Sequence, residues 1–340
     1  MKILVCVKQV NGELNPFDAS ALECALSVPN AQVVVVSMGR LDVQDMLLKL
    51  TRLGVERAIL LSDNAFAGSD TLATSYVLSL AAKRINPDLI VCGRQSIDGD
   101  TAQVGPSLAT MLEMPVITNV IKLLNAENTV DCVTRLGQES STLPALITVE
   151  RGYTLRFPRI RSKTGTVEIW NAKDINADTS KCGLHGSPTR VLRTYESTVG
   201  KRKCKFITIE QLPKIIEQAL NTPRHNYKPI ESNVKINEVW SVGQEPVEMA
   251  SSIAKTVRVI KRQAVQQIAD LAIKEKPQVI LWDSGIWGRK NAPQVAALLQ
   301  TGLCADCTML ETDGKQIYMY RPAYGSSIMA KIDCCTRPQM

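Results

Sequence analysis

The chain has 340 residues, of which 45% are apolar and 21% charged, with a formal net charge of +7. On a scale of ~150 residues per domain this length suits about two domains, each able to bury a core without covalent staples. The charge is small and scattered, and its densest run, Lys201-Arg202-Lys203 with Lys205, has no interleaved aromatics, which excludes a nucleic-acid groove.

The opening residues 1–7 run straight into a strand pattern, with no separate apolar region and cleavage site. Through the first 150 residues, apolar runs at 3–7, 33–37, 58–61 and 89–92 alternate with amphipathic patterns at 19–27, 43–53 and 71–84. This βαβα order predicts a parallel sheet with right-handed crossovers. Only 4% of residues are aromatic, so Val, Ile, Leu and Ala fill the core, as suits a sheet covered on both faces. After Met114, residues 115–123, 129–135 and 145–150 read as strands with short connections that extend the sheet in antiparallel fashion.

Residues 221–232 carry Pro223 and Pro229 and little apolar content, and read as a linker between a domain at 1–220 and another at 233–340. Beyond it, strands at 236–242, 256–260 and 279–282 alternate with helices, two of them at 264–274 and 292–300. Pro87-Asp88-Leu89-Ile90-Val91 resembles Pro277-Gln278-Val279-Ile280-Leu281, and Gln103-Val104 and Leu108 match Gln294-Val295 and Leu299. Pro106 and Pro293 each fall where a first helical turn tolerates proline. The pattern reads as two related domains, against the plainer alternative that two strand–loop–helix units merely look alike. The predicted class is α/β, with mainly parallel sheets flanked by helices.

The loop Gly93-Arg94-Gln95-Ser96-Ile97-Asp98-Gly99-Asp100-Thr101-Ala102-Gln103-Val104-Gly105 follows a buried strand and opens a helix near Thr101. In a parallel sheet this carboxyl-end crevice is where ligands sit, and a helix N-terminus favours phosphate oxygens. Gly93, Gly99 and Gly105 permit close backbone approach or positive φ. Asp98 and Asp100 suit a helix cap or a ribose hydroxyl better than a phosphate. On the residues alone, a nucleotide loop and a capping loop without ligand both fit. Asn15-Pro16-Phe17-Asp18 is a sound helix start bordering the same crevice, with Asn15 as N-cap and Pro16 first in the helix. Gly68-Ser69-Asp70-Thr71 reads as another capped helix opening.

Ten cysteines show no framework spacing, which suggests reduced thiols in a cytoplasm. Cys304 and Cys307 have a metal-like spacing, but adjacent Cys334 and Cys335 point to opposite faces of a strand, so no metal site is expected. No apolar stretch reaches the ~18 residues of a membrane span. The two histidines, His185 and His225, lie near no nucleophile, and no catalytic set emerges. A carrier needs none.

The wording VCVKQV, NPFD, FAGSDTLATSY, GRQSIDGDTAQVGP and GLHGSPTRV, in that order over residues 1–220, resembles the beta subunit of electron-transfer flavoproteins. GRKNAPQVAALLQTGLCADCT and RPAYGSSIMA, most clearly over 277–340, are similar to the first domain of the alpha subunit. The resemblance implies a beta–alpha fusion whose two domains share a fold. It implies an adenine-nucleotide site at Cys6, Asn15 to Asp18, Met38 and the loop from Gly93 to Val104. It further implies AMP as a structural ligand or, in electron-bifurcating members, a second FAD, with the GDTAQVGP wording closer to the bifurcating type. The expected function is an electron carrier binding FAD, with a non-redox AMP-binding assembly module as the alternative. The family docks partner dehydrogenases of the acyl-CoA dehydrogenase type through a loop here at 152–160, with Phe157 at the anchor position. Two departures follow: the loop before NPFD is shorter than usual, and the alpha subunit's FAD domain is missing, so a separate chain is expected to supply it.

Overall fold

The computed structural model describes residues 1–196, 206–221 and 232–340. The basic run from Lys201 to Lys205 and nearly all of the linker at 221–232 lie outside the described residues. The first half runs β1 (Lys2–Cys6), the short β2 (Gln9–Val10) and β3 (Glu13–Leu14), α1 (Pro16–Leu26), β4 (Gln32–Met38), α2 (Gln44–Thr51), β5 (Arg57–Leu61), α3 (Thr71–Ile85), β6 (Leu89–Gly93) and α4 (Val104–Met111). It continues with β7 (Val116–Ala126), β8 (Thr129–Thr134), β9 (Gly137–Thr142), β10 (Ala145–Val149) and β11 (Val167–Trp170).

Side chains alternate between the faces of a strand, so one that is apolar at every position must be covered on both. Ile3, Val5, Val33, Val35, Leu89 and Val91 face one side and pack with Leu22 of α1 and Leu47 of α2. Leu4, Val34, Val36 and Ile90 face the other side, with Val77 and Ala81 of α3 and Leu108 of α4. Burial of each such side chain contributes about 1.5–3 kcal/mol. Asp70 caps α3, accepting from Leu72 N at 2.9 Å and Ala73 N at 3.0 Å; such a cap is worth about 1 kcal/mol. Asn86, left-handed at φ 52°, ends the helix.

The nine strands order as β11-β5-β4-β1-β6-β10-β7-β8-β9. The chain builds outward from β1 through β4 to β5, then returns to β1's other side as β6, so strand order reverses between β1 and β6. β7 joins the sheet parallel to its neighbour, so the antiparallel extension holds only for the β7–β8 and β8–β9 pairings. β10 instead inserts between β6 and β7, parallel to both, because its wholly buried Ala-Leu-Ile-Thr-Val run needs cover on two faces.

β12 (Thr189–Glu196) and the exposed helix α5 (Leu212–Asn221) follow. The second half comprises β13 (Ile236–Val242), α6 (Val247–Ile253), β14 (Ala254–Ile260), α7 (Val265–Glu275), β15 (Ile280–Trp282), α8 (Ile286–Leu299), β16 (Met309–Thr312), β17 (Ile317–Ala323) and β18 (Ile328–Cys334). β14-β13-β15 is a parallel sheet, and β12-β18-β17-β16 is antiparallel, with β12 reaching across from the first half to pair with β18.

The helix predicted from 292 starts at Ile286, which places Pro293 inside it rather than in its first turn. Helices α4 and α8, the matching helices of the repeat, pack against each other. The Ser107 hydroxyl donates to the Pro293 carbonyl at 3.2 Å in that contact.

Candidate functional site

Between the carboxyl ends of β1 and β6 lies a cavity of about 340 Å³, roofed by the start of α4 and flanked by α3. Of the residues singled out in the sequence, Cys6, Asn15, Asp18, Met38, Gly93, Arg94, Gln95, Ser96, Gly99, Thr101, Ala102, Gln103 and Val104 line it. Pro16, Phe17, Ile97, Asp98 and Asp100 do not, although each stands next to a residue that does.

Asn15 sits at the N-cap position of α1 but makes no capping bond with its side chain. It is 1% exposed and crosses to the neighbouring loop instead, donating from Nδ2 to Gln95 O at 2.9 Å and accepting from Ile97 N at 3.3 Å. It therefore ties together the two sequence-distant loops of the crevice. Asp18, also buried, accepts from Lys8 N at 2.8 Å. Burial pushes its carboxyl up to about 7, against the lowering effect of hydrogen bonds with Asn15, Lys8 and Gly93.

Gly93 and Gly105 serve the protein's own packing, not positive φ. A Cβ on Gly93 would fall 2.2 Å from Asp18 Oδ1 and 2.7 Å from the Phe17 backbone carbon, and one on Gly105 would fall 2.5 Å from Thr148 Cγ2. The left-handed residues of the loop are Asp100 (φ 52°) and Ala102 (φ 54°).

Helix α4 opens at Val104, not near Thr101, and neither Asp98 nor Asp100 caps it. Asp98 pairs with Lys8 Nζ at 2.6 Å; burial would raise its carboxyl, but Lys8 and Ser96 hold it below the usual range. Asp100 accepts from Gln95 Nε2 at 2.9 Å and from Gly325 N at 3.1 Å. Tyr324 N also donates to Asp98 O at 3.2 Å, so the β17–β18 turn of the second half braces the loop. Gln103 likewise does not cap α4. Its Oε1 accepts from Thr71 Oγ1 at 2.6 Å and its Nε2 donates to Leu303 O at 3.1 Å. The first-turn amides of α4 carry no side-chain cap, and Val104 and Gly105 border the cavity.

Positive charge reaches the rim from Lys8 and Arg94. Arg94 lies over the Phe17 ring at 5.1 Å and pairs with Glu150 at 3.2 Å, a carboxylate it shares with Arg135 at 3.1 Å. Phe17 thus supports the cavity indirectly, by holding Arg94. Sequence reasoning missed Lys8 and Thr74 as wall residues, and read Ser69, Asp70 and Thr71, which also line the cavity, only as a capped helix opening. A cation directly after β1 was the available signal for Lys8; Thr74 carried none, being one turn inside a helix.

Phe157 stands on a loop pinned at its base, where Arg156 pairs with Glu23 at 2.8 Å and Ser20 Oγ donates to Tyr153 O at 3.1 Å. Phe157 itself is 91% exposed and packs under nothing.

Helices on both faces of a mainly parallel sheet, with a crevice where strand order reverses, define the open α/β class, whose ligands bind outside the carboxyl ends of the strands. Residues 3–175 and 257–340 match the electron transfer flavoprotein domain, and the chain belongs to that family. It is similar to protein FixA of Azorhizobium caulinodans, with 36% identity over 258 residues, covering 62% of this chain and 90% of FixA. It is similar to CarD, a subunit of the caffeyl-CoA reductase-Etf complex of Acetobacterium woodii, with 38% identity over 231 residues, covering 57% of this chain and 87% of CarD. The electron transfer flavoprotein subunit beta of Clostridium acetobutylicum is 34% identical over 227 residues, covering 57% of this chain and 87% of that subunit. The chain is accordingly an electron-transfer-flavoprotein-like carrier. Among the described residues no helix is long and apolar enough to cross a membrane.

Proposed function

We propose that the crevice between β1 and β6 holds the adenosine diphosphate part of FAD, and that the chain passes electrons between a flavoenzyme dehydrogenase of the acyl-CoA dehydrogenase type and a further acceptor. The observation that carries FAD over AMP is a second cavity of about 260 Å³ that adjoins the first and shares Thr101 and Gln103 with it. A mononucleotide needs only the first cavity, whereas a dinucleotide has a flat ring system left to accommodate. The second cavity is walled by Met249, Leu281, Trp282, Leu310 and Met319, apolar surface suited to such a ring.

Bound FAD supplies reversible electron transfer; the chain's own residues bind and orient it. Lys8, Arg94 and the first-turn amides of α4 offer positive charge to the phosphates. Asn15 and Gln103 fix the loops on either side. Asp18, its carboxyl pushed up to about 7, carries only part of a negative charge at neutral pH. Phe157 is the proposed anchor for the dehydrogenase, since an exposed ring on a pinned loop is a ready hot spot. We also read residues 1–220 and 233–340 as the beta-like and alpha-like parts of a fusion. The free thiols of the described cysteines support a reducing, cytoplasmic setting.

Mass spectrometry of the nucleotide released from denatured protein is the direct test. FAD is the expected product. AMP alone would overturn the flavin assignment while leaving the crevice as a nucleotide site.

A further inference from the structure

Cys304 and Cys307 lie on the connection between α8 and β16, and neighbours pin that loop from Leu303 to Asp306. Leu303 O accepts from Gln103, Cys304 N donates to Met340 O at 2.8 Å, and Ala305 O accepts from Arg321 Nε at 2.8 Å. Asp306, left-handed at φ 57°, pairs with Arg289. The turn brings Cys307 back onto Cys304, with Cys307 Sγ donating to Cys304 O at 3.5 Å. Both sulfur-bearing residues are partly exposed and line the 260 Å³ cavity.

Arg321 is an independent pointer. It is 8% exposed, and its Nη2 is buried with no hydrogen-bond partner among the described residues. A buried guanidinium with an unused N–H is costly and favours an anion beside it. Its charge acts on Cys304 and eases an anion there, although the hydrogen bond to Cys307 and burial outweigh it.

We propose that Cys304 and Cys307 form a dithiol–disulfide site that exchanges with small-molecule disulfides of the glutathione type. The Cys307 thiolate attacks one sulfur of the disulfide R–S–S–R, forming a Cys307–S–S–R bond and expelling one thiolate. Cys304 then loses its proton to solvent and attacks the Cys307 sulfur, closing the protein disulfide and expelling the second thiolate. In sum, two protein thiols and one R–S–S–R give one protein disulfide and two R–SH. The order of attack follows from the contact between the thiols. Its hydrogen bond to Cys307, reinforced by burial, holds the Cys304 proton on sulfur well above the usual thiol range. Cys334 is not the resolving thiol: it is wholly buried and already bonded at 3.3 Å to Thr336. The thiols open on the cavity proposed above for the flavin ring, so a bound flavin and an incoming disulfide would compete for it, although the exchange itself needs no nucleotide.

The test uses the full-length protein equilibrated with glutathione disulfide, alkylated and digested with trypsin. Residues 291–315 emerge as one peptide with Cys304 and Cys307 as its only cysteines. The expected product is that peptide two hydrogens lighter, resistant to alkylation and restored by dithiothreitol. Cys304→Ser should stop at a glutathione adduct on Cys307, while Cys307→Ser should form adduct on this peptide roughly tenfold more slowly. Arg321→Gln should slow closure roughly tenfold, with Arg321→Lys restoring it. The serine variants decide the matter even if Arg321→Gln does not fold. The proposal is overturned if the peptide stays fully alkylatable while exposed Cys335 takes up glutathione, or if the disulfide formed joins it to the peptide holding Cys334 and Cys335.

Discussion

The packing of α4 onto β10 can be tested with one methyl group. A Cβ at Gly105 meets Thr148 Cγ2 at 2.5 Å, while its next neighbours, Leu146 Cδ2 at 3.6 Å and Cys92 Cβ at 3.9 Å, are at ordinary contact distance. Gly105→Ala should therefore cost about 2 kcal/mol in overpacking, offset by up to ~1 kcal/mol of helix propensity. Thr148→Ser deletes that methyl yet keeps the hydroxyl that accepts from Asn119 N at 3.1 Å. For a methyl on a residue 2% exposed, the loss is about 1 kcal/mol. If the two changes were independent they would sum to about 2 kcal/mol. Because the serine removes the clash, the double variant should lie near the wild type, a coupling of about 2 kcal/mol. Thermal melting reads this as a drop of roughly 2–4 °C for each single variant and almost none for the pair. Nucleotide retained per protein should fall in Gly105→Ala, as the first turn of α4 is pushed off the cavity, and recover in the double variant. Additive melting shifts would refute the packing account. Full retention in the single variant would refute the placement of phosphate at this turn.

Three further outcomes follow from the site. Asn15→Ala strands the Ile97 amide and the Gln95 carbonyl, so it should cost about 1–3 kcal/mol and release nucleotide, read by melting and by ligand assay. Phe157→Ala should leave the melting temperature unchanged and slow dehydrogenase-dependent dye reduction roughly tenfold; a drop in melting temperature would mean that the ring is structural. Asp18 has a folded-state carboxyl at about 7 against an ordinary 3.8, so the native state holds a proton that the unfolded chain has released. Its contribution to stability is therefore fully present below about 3.8 and lost as pH rises through about 7. Asp18→Asn should flatten that part of the melting-temperature profile, and parallel profiles for the two proteins would count against the buried carboxyl.

Much of the architecture was legible because its signals are local. The runs around Ile3, Val33 and Leu89 are apolar at every position, and only a doubly covered sheet takes such strands. The polar helix start at Asp70 also read correctly as a cap. What stayed hidden needs partners far away in the chain. β9 is a Gly-Gln-Glu-Ser-Ser-Thr run with no buried residue, defined only by its pairing with β8. Pro293 read as a helix start because a proline in a helix interior is rare, yet α8 continues through it under cover of α4. The crevice itself was found from strand–loop–helix logic, but its wiring was not. Asn15 looked like a cap because nothing local shows that Gln95 and Ile97 will lie beside it. Gly93 and Gly105 looked like ligand-approach glycines, and the atoms that demand them belong to Asp18 and Thr148.

The pairing of β12 with β18 makes the two halves interdependent in a way their repeat does not suggest. A gene divided anywhere between Glu196 and Ile236 would give one polypeptide carrying a strand without a neighbour and another carrying a bare sheet margin. Mixed together, the two pieces should re-form this ladder and travel as one particle on a sizing column. Made apart, each would expose backbone donors and acceptors that invite aggregation.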